Sequence, residues 1–190
     1  MVAPPTRRIL ASGLIVVGTI ATFGESLPAH AWVFHQCKWP GPSVKIKNEG
    51  TVTPSMNYGA RGWDAYNAWA AAGTDLTSWS MSTSTPSGQY IRLFNTSAGN
   101  NGFVGLTSWS CAGGNFAGNP SSYWNQYYNW DQSNNFVKGI AVHELGHAIG
   151  LGDTSGCGGK SAVAIMNPIG SACGVFVPQQ DDKNGVNFIY

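Results

Sequence analysis

Charge is scarce in this sequence. Ten Lys and Arg and nine Asp and Glu leave its 190 residues close to neutral, and no stretch gathers the basic side chains into a stripe. Nucleic acid is therefore excluded as the expected partner, because phosphate contacts need clustered cations. Carboxylates are too few to form a recognisable calcium loop, so a calcium ion is compatible with the chain but unsupported. Beyond Phe23 no apolar run approaches the length that crosses a bilayer. Histidine is scarcer still: His30, His35, His143 and His147 are all there are. Chemistry that needs imidazole must draw on these four.

What is present begins with an export pattern. Arg7 and Arg8 precede an apolar run from Ile9 to Phe23, and Ala29-His30-Ala31 supplies a small-residue exit before Trp32. This order reads as a secretory signal peptide over residues 1–31, with the mature chain at 32–190. As a membrane anchor the run is too short, and Gly13, Gly18 and Thr19 break it. The arginine pair also fits a twin-arginine signal loosely, which leaves the export route open. Cys37, Cys111, Cys157 and Cys173 all follow the cleavage point, as suits an oxidising, extracellular destination. Four cysteines allow three pairings. Cys157 with Cys173 needs the least chain closure, which leaves Cys37 with Cys111.

The order of elements suggests an α+β domain. Val44 to Lys47 alternates apolar and basic, as a strand does. Arg61 to Ala72 predicts a helix with Trp63, Tyr66 and Ala70 on one face, ended by Gly73. Strand-like pieces follow at Leu76 to Met81, Tyr90 to Phe94 and Phe103 to Ser110, the last after an Asn100-Asn101-Gly102 turn. Cys111 to Ser122 reads as a surface loop and Tyr123 to Trp130 as another strand. A second helix is expected from Phe136 to Ile149, capped by Ser133, Asn134 or Asn135 and stopped by Gly150 and Gly152. A closing helix is expected from Pro178 to Tyr190, with Asp181 and Asp182 at its positive end and Val186, Phe188 and Ile189 buried.

His143-Glu144-Leu145-Gly146-His147 is an H-E-x-x-H motif on the second helix. Residues four apart on a helix stand nearly above one another, so both imidazoles reach one metal ion. Glu144, turned by one residue, reaches a water activated by the metal and can act as general base. Ordinary composition produces such a string by chance in roughly one chain in a few hundred of this length, and the helical context makes chance a poorer account. A catalytic zinc takes three protein ligands and keeps a fourth place open. Asp153 lies just beyond Gly150 and Gly152, and among the histidines only His35 competes with it, since His30 leaves with the signal peptide.

The string from His143 through Gly150 to Asp153 resembles the metzincin zinc endopeptidases, whose pattern is H-E-x-x-H-x-x-G-x-x-H or, in one branch, D. It is similar to the secreted snapalysins in carrying aspartate at the third ligand position. The resemblance implies a metzincin-like zincin fold. This is a twisted mixed β-sheet, an active-site helix and a small C-terminal subdomain ending in a helix. It implies one catalytic Zn(2+) on His143, His147 and Asp153, with Glu144 as the catalytic base. Met166, in Ala164-Ile165-Met166-Asn167-Pro168, resembles the clan's methionine turn, a hydrophobic floor under the metal. Asn167 stands where the matrixin branch has tyrosine, so the lining of the specificity pocket is not carried over. The segment from Pro178 to Tyr190 resembles the closing matrixin helix, whose paired aspartates bind the methionine-turn backbone and the mature N-terminus. Asp181 and Asp182 match them by position.

The function this implies is secreted, zinc-dependent cleavage of internal peptide bonds by a monomer. Substrate would lie extended along a sheet edge, for which Phe103 to Trp109 is the candidate. Cys37 as an inhibitory cap on zinc is less favoured than a disulfide, because its flanks lack the arginine and glycine of that motif. Two rivals remain: an amidase with the same zinc chemistry, and an extracellular glycan- or cell-wall-binding module using the aromatics of Tyr123 to Trp130.

Overall fold

A computed structural model describes residues 32–129, 133–154, 164–167 and 174–190. Residues 1–31, expected as a signal peptide, and Cys157, Cys173 and Pro168 lie outside the described residues. The chain is α+β. In order, its elements are β1 (Val33–Phe34), β2 (Ser43–Asn48), α1 (Tyr58–Ala70), β3 (Ser78–Ser82), β4 (Ile91–Thr96), β5 (Gly105–Ser108), β6 (Cys111–Ala112), β7 (Asn115–Phe116), β8 (Ser121–Asn125), α2 (Gln126–Asn129), α3 (Asn134–Ala148), β9 (Leu151–Gly152) and α4 (Gln180–Ile189). None of the described helices is long and apolar enough to cross a membrane.

Five strands form one mixed sheet in the order β3-β2-β4-β8-β5. All neighbours run parallel except β5, which pairs antiparallel with β8 at the end of the sheet. One face is buried: Val44 and Ile46 of β2, Ile91 and Leu93 of β4, Ser122 and Trp124 of β8, and Thr107 of β5. Helices α1 and α3 pack on each other, α1 reaching β2, β3 and β4 while α3 reaches β5 and β8. The opposite face keeps Lys45, Lys47 and Arg92, with Arg92 bonded to Glu49 at 2.8 Å. This alternation is the period-two signature of a sheet covered on one side.

Helix α3 begins where Ser133 accepts a bond from the Phe136 N–H, as its side chain equips it to do. It is buried almost all round, and the Trp69 indole N–H donates to its Val142 carbonyl at 2.8 Å. Beyond its end Gly150 adopts φ +105°, open to glycine and costly to other residues. The chain turns there into β9, which pairs antiparallel with β1. Cys37 and Cys111 form a disulfide with Cα atoms 5.8 Å apart, tying the segment after β1 to the start of β6.

Several expectations need correction. The α1 helix starts at Tyr58, capped by Asn57, and its buried residues are Tyr58, Gly62, Ala65 and Trp69. The expected face is the wrong one, and Trp63 is 40 % exposed. Both faces carry aromatics, and the contact with α3 selects the one holding Trp69. Cys111 to Ser122 is not a plain loop: Gly113 and Gly114, both at positive φ, close the β6–β7 hairpin. The strand expected from Tyr123 runs instead from Ser121 to Asn125 and passes into α2. Pro178 precedes the closing helix, whose N-cap is Gln179, and Phe188 is exposed, packed at a tilt against Trp32 with ring centres 4.6 Å apart.

Candidate metal centre

His143 and His147 project from the same side of α3, and the chain reversal at Gly150 returns Asp153 to them. Asp153 Oδ1 lies 3.2 Å from His143 Nε2 and 3.3 Å from His147 Nε2. The three side chains offer one ligand atom each, all within 4.8 Å of one another, so the group can hold a metal ion. His35 is not a member of this group.

The donor set fits a metal on further grounds. His143 Nδ1 is 2.8 Å from the Ile165 carbonyl, and His147 Nδ1 is 2.8 Å from the Leu151 carbonyl. A carbonyl only accepts, so each Nδ1 carries the proton. Each Nε2 is left as the nitrogen that can present a lone pair to an ion. This orientation of histidines by outer partners is typical of metal sites.

Burial disfavours the charged Asp153 carboxylate, but the adjoining His143 and His147 imidazoles outweigh it and hold the carboxyl well below its usual range. Burial alone would lower the His143 pKa; the neighbouring Asp153 and Glu144 carboxylates reverse this and raise it. For Glu144 burial dominates and raises the carboxyl pKa, against the two histidines and Thr107. A carboxylate made more basic in this way is suited to taking a proton.

Met166 lies under the helix: a Cβ built on Gly146 would overlap its sulfur. Asp182 of α4 accepts from the Ile165 N–H at 2.9 Å and the Met166 N–H at 3.2 Å, and so holds the turn that carries the Ile165 carbonyl. The Thr154 N–H donates to the Met166 carbonyl at 2.9 Å, joining the segment after Asp153 to the same turn.

Sequence reasoning treated His35 only as a competing ligand. Instead its Nε2 lies 3.1 Å from His147 Nδ1, on the far side of that ring from Nε2, and its ring packs at a tilt against Trp109 with centres 4.3 Å apart. The β1–β9 pairing and Gln36, at φ 65°, set its direction. Thr107 and Ser122 were missed. Thr107 Oγ1 is 2.6 Å from Glu144 Oε2, and Ser122 Oγ is 3.1 Å from the Glu144 carbonyl. A polar residue on the inward side of a strand needs a partner, and that was the available signal for Thr107.

The cluster opens into a cleft of about 390 Å³, walled by Phe103, Leu106, Trp109, Ile140 and Asn167 among others. Strand β5 forms one lip, with its outer edge at the end of the sheet. No family model and no curated protein matches this chain.

Proposed function

We propose that this chain is a secreted, zinc-dependent endopeptidase of the metzincin type, hydrolysing internal peptide bonds. The observation that carries the reading is the convergence of His143, His147 and Asp153 beside the Glu144 carboxylate, at the foot of a cleft bordered by a sheet edge. Two imidazoles and one carboxylate suit zinc and match a catalytic ligand count. A divalent ion held by these donors supplies Lewis acidity, acidifying water and polarising a carbonyl oxygen.

The chain's own groups account for the remainder. An extended peptide pairs with the outer edge of β5, which brings its scissile carbonyl over the cleft. Glu144 takes a proton from the attacking water as the C–O bond forms, then delivers it to the amine nitrogen as the C–N bond breaks. His143 and His147, fixed through Ile165 and Leu151, hold the donor geometry without rearrangement. Met166 and Asp182 support the turn beneath. Export rests on the pattern in residues 1–31, and the Cys37–Cys111 bridge suits an oxidising destination.

The test uses purified protein, metal analysis and a proteome-derived peptide library read by mass spectrometry, with and without a zinc chelator. One zinc per chain and chelator-sensitive cuts within peptides are expected. A zinc-loaded protein that cuts no peptide removes the reading and turns attention to non-peptide amides or glycan binding.

A further inference from the structure

We propose that Thr107 is the positioning residue for Glu144, so that strand β5 sets the aim of the general base; this rests on the hydrolytic reading above.

The Thr107 side chain is buried and faces α3. Its Oγ1 has three neighbours: Glu144 Oε2 at 2.6 Å, Ser122 Oγ at 2.8 Å and the Glu144 carbonyl at 2.9 Å. A hydroxyl has one proton to give. The carboxylate oxygen is the nearest acceptor and the only ionisable one, and hydrogen bonds to ionised acceptors are the short and strong ones. The Glu144 carbonyl does not need Thr107, because Ser122 Oγ donates to it at 3.1 Å. Ser122 stands opposite Thr107 in the β5–β8 register, so the two hydroxyls form a pair behind the acid.

Gly105 supplies the other half. It lies two residues before Thr107 on the same face of β5. A Cβ there would come within 2.6 Å of Glu144 Oε1 and 2.7 Å of Ile140 Cγ2. The carboxylate therefore lies against the strand, with Oε1 over the bare glycine and Oε2 tied to Thr107. One oxygen is committed and the other is free to meet the reacting water. Rotation of the carboxylate is restricted by a hydrogen bond on one side and by close packing on the other. The strand that would pair with substrate also holds the base, so both reactants share one rigid reference. Placement of this kind is worth a large share of a catalytic barrier.

The experiment uses the full secreted chain loaded with zinc. Thr107→Val removes the hydroxyl and keeps the shape, and Thr107→Ser restores it. The crystal structures of both and kcat and KM on a cleaved peptide are measured, with zinc content as control. For Thr107→Val we expect one zinc per chain, a Glu144 carboxylate rotated off Gly105, a KM within about twofold and a kcat lower by about ten- to a hundredfold. Thr107→Ser should restore both the carboxylate position and kcat. A Glu144 carboxylate in its original place in Thr107→Val overturns the inference whatever the kinetics. If the zinc-loaded wild type cleaves no peptide, the hydrolytic reading falls, and the crystal structures still decide whether Thr107 holds Glu144. Thr107→Cys, which keeps the bulk with only a weak donor, carries the same comparison should Thr107→Val not accumulate folded.

Discussion

Gly146 and Met166 approach so closely that a single methyl group on the glycine would overlap the methionine sulfur and lie 3.1 Å from the Trp69 ring. Gly146 sits inside α3 between His143 and His147, where helix propensity alone favours alanine by about 1 kcal/mol. The contact should reverse that sign, because overpacking a filled core costs about 1–3 kcal/mol. Gly146→Ala is expected to lower the unfolding midpoint and weaken metal binding together, since the Met166 side chain or the helix must give way, and both adjoin the turn that orients His143. Thermal denaturation and zinc titration of the variant check this, and a midpoint raised above wild type would refute it.

Glu144→Gln keeps the side-chain shape and removes the base. Zinc content and fold should persist while turnover falls by about two to four orders of magnitude. Metal analysis beside a peptide assay reads both halves, and near-normal turnover would take Glu144 out of the chemistry.

In the proposed centre Asp153 is the third ligand, and its Oδ1 lies 3.2 and 3.3 Å from the two histidine Nε2 atoms. Asp153→Ala should lower zinc affinity by orders of magnitude, while Asp153→His keeps zinc and part of the activity. Competition with a chromogenic chelator measures this. Unchanged affinity in Asp153→Ala would place the third ligand elsewhere, and His35, the one other histidine among the described residues, would be tested next.

His35 gives a pH signature. Burial first, and then the neighbouring His147, push its pKa down to about 4. In the unfolded chain the same group protonates near 6.5. Between these values the unfolded chain holds the extra proton, so the contribution of His35 to stability is complete above about pH 6.5 and declines as pH falls toward 4. Urea unfolding in excess chelator, measured across that range, should show a decline that His35→Gln makes shallower. Identical pH profiles for the two proteins would exclude the burial of a neutral His35.

The Cys37–Cys111 bridge closes a long loop, with 74 residues of sequence separation, and secures the segment bearing His35 beside Trp109. Replacing both cysteines by serine should cost about 2–4 kcal/mol in denaturant unfolding. Mass mapping of a non-reduced digest should recover the Cys37–Cys111 peptide pair. A free Cys37 in fresh protein would contradict the pairing.

Short-range spacing alone accounts for several of these features. The spacing of His143 and His147 places both on one side of a helix because one helical turn is a fixed length, and Ser133 caps that helix through a bond three residues away. Gly150 marks the reversal because few other residues tolerate its φ. The alternation in β2 and β4 marks strands for the same short-range reason. Other features depend on distant partners and are settled by packing. The α1 helix carries Trp63 and Tyr66 on one side and Tyr58 and Trp69 on the other, and its own period cannot say which meets α3. His35 comes behind His147 through pairing between β1 and β9, more than a hundred residues apart in the chain. Thr107 meets Glu144 only because β5 joins the sheet as its one antiparallel strand, with that hydroxyl turned toward the helix. Such contacts follow from register and packing, which no periodicity within a single element encodes.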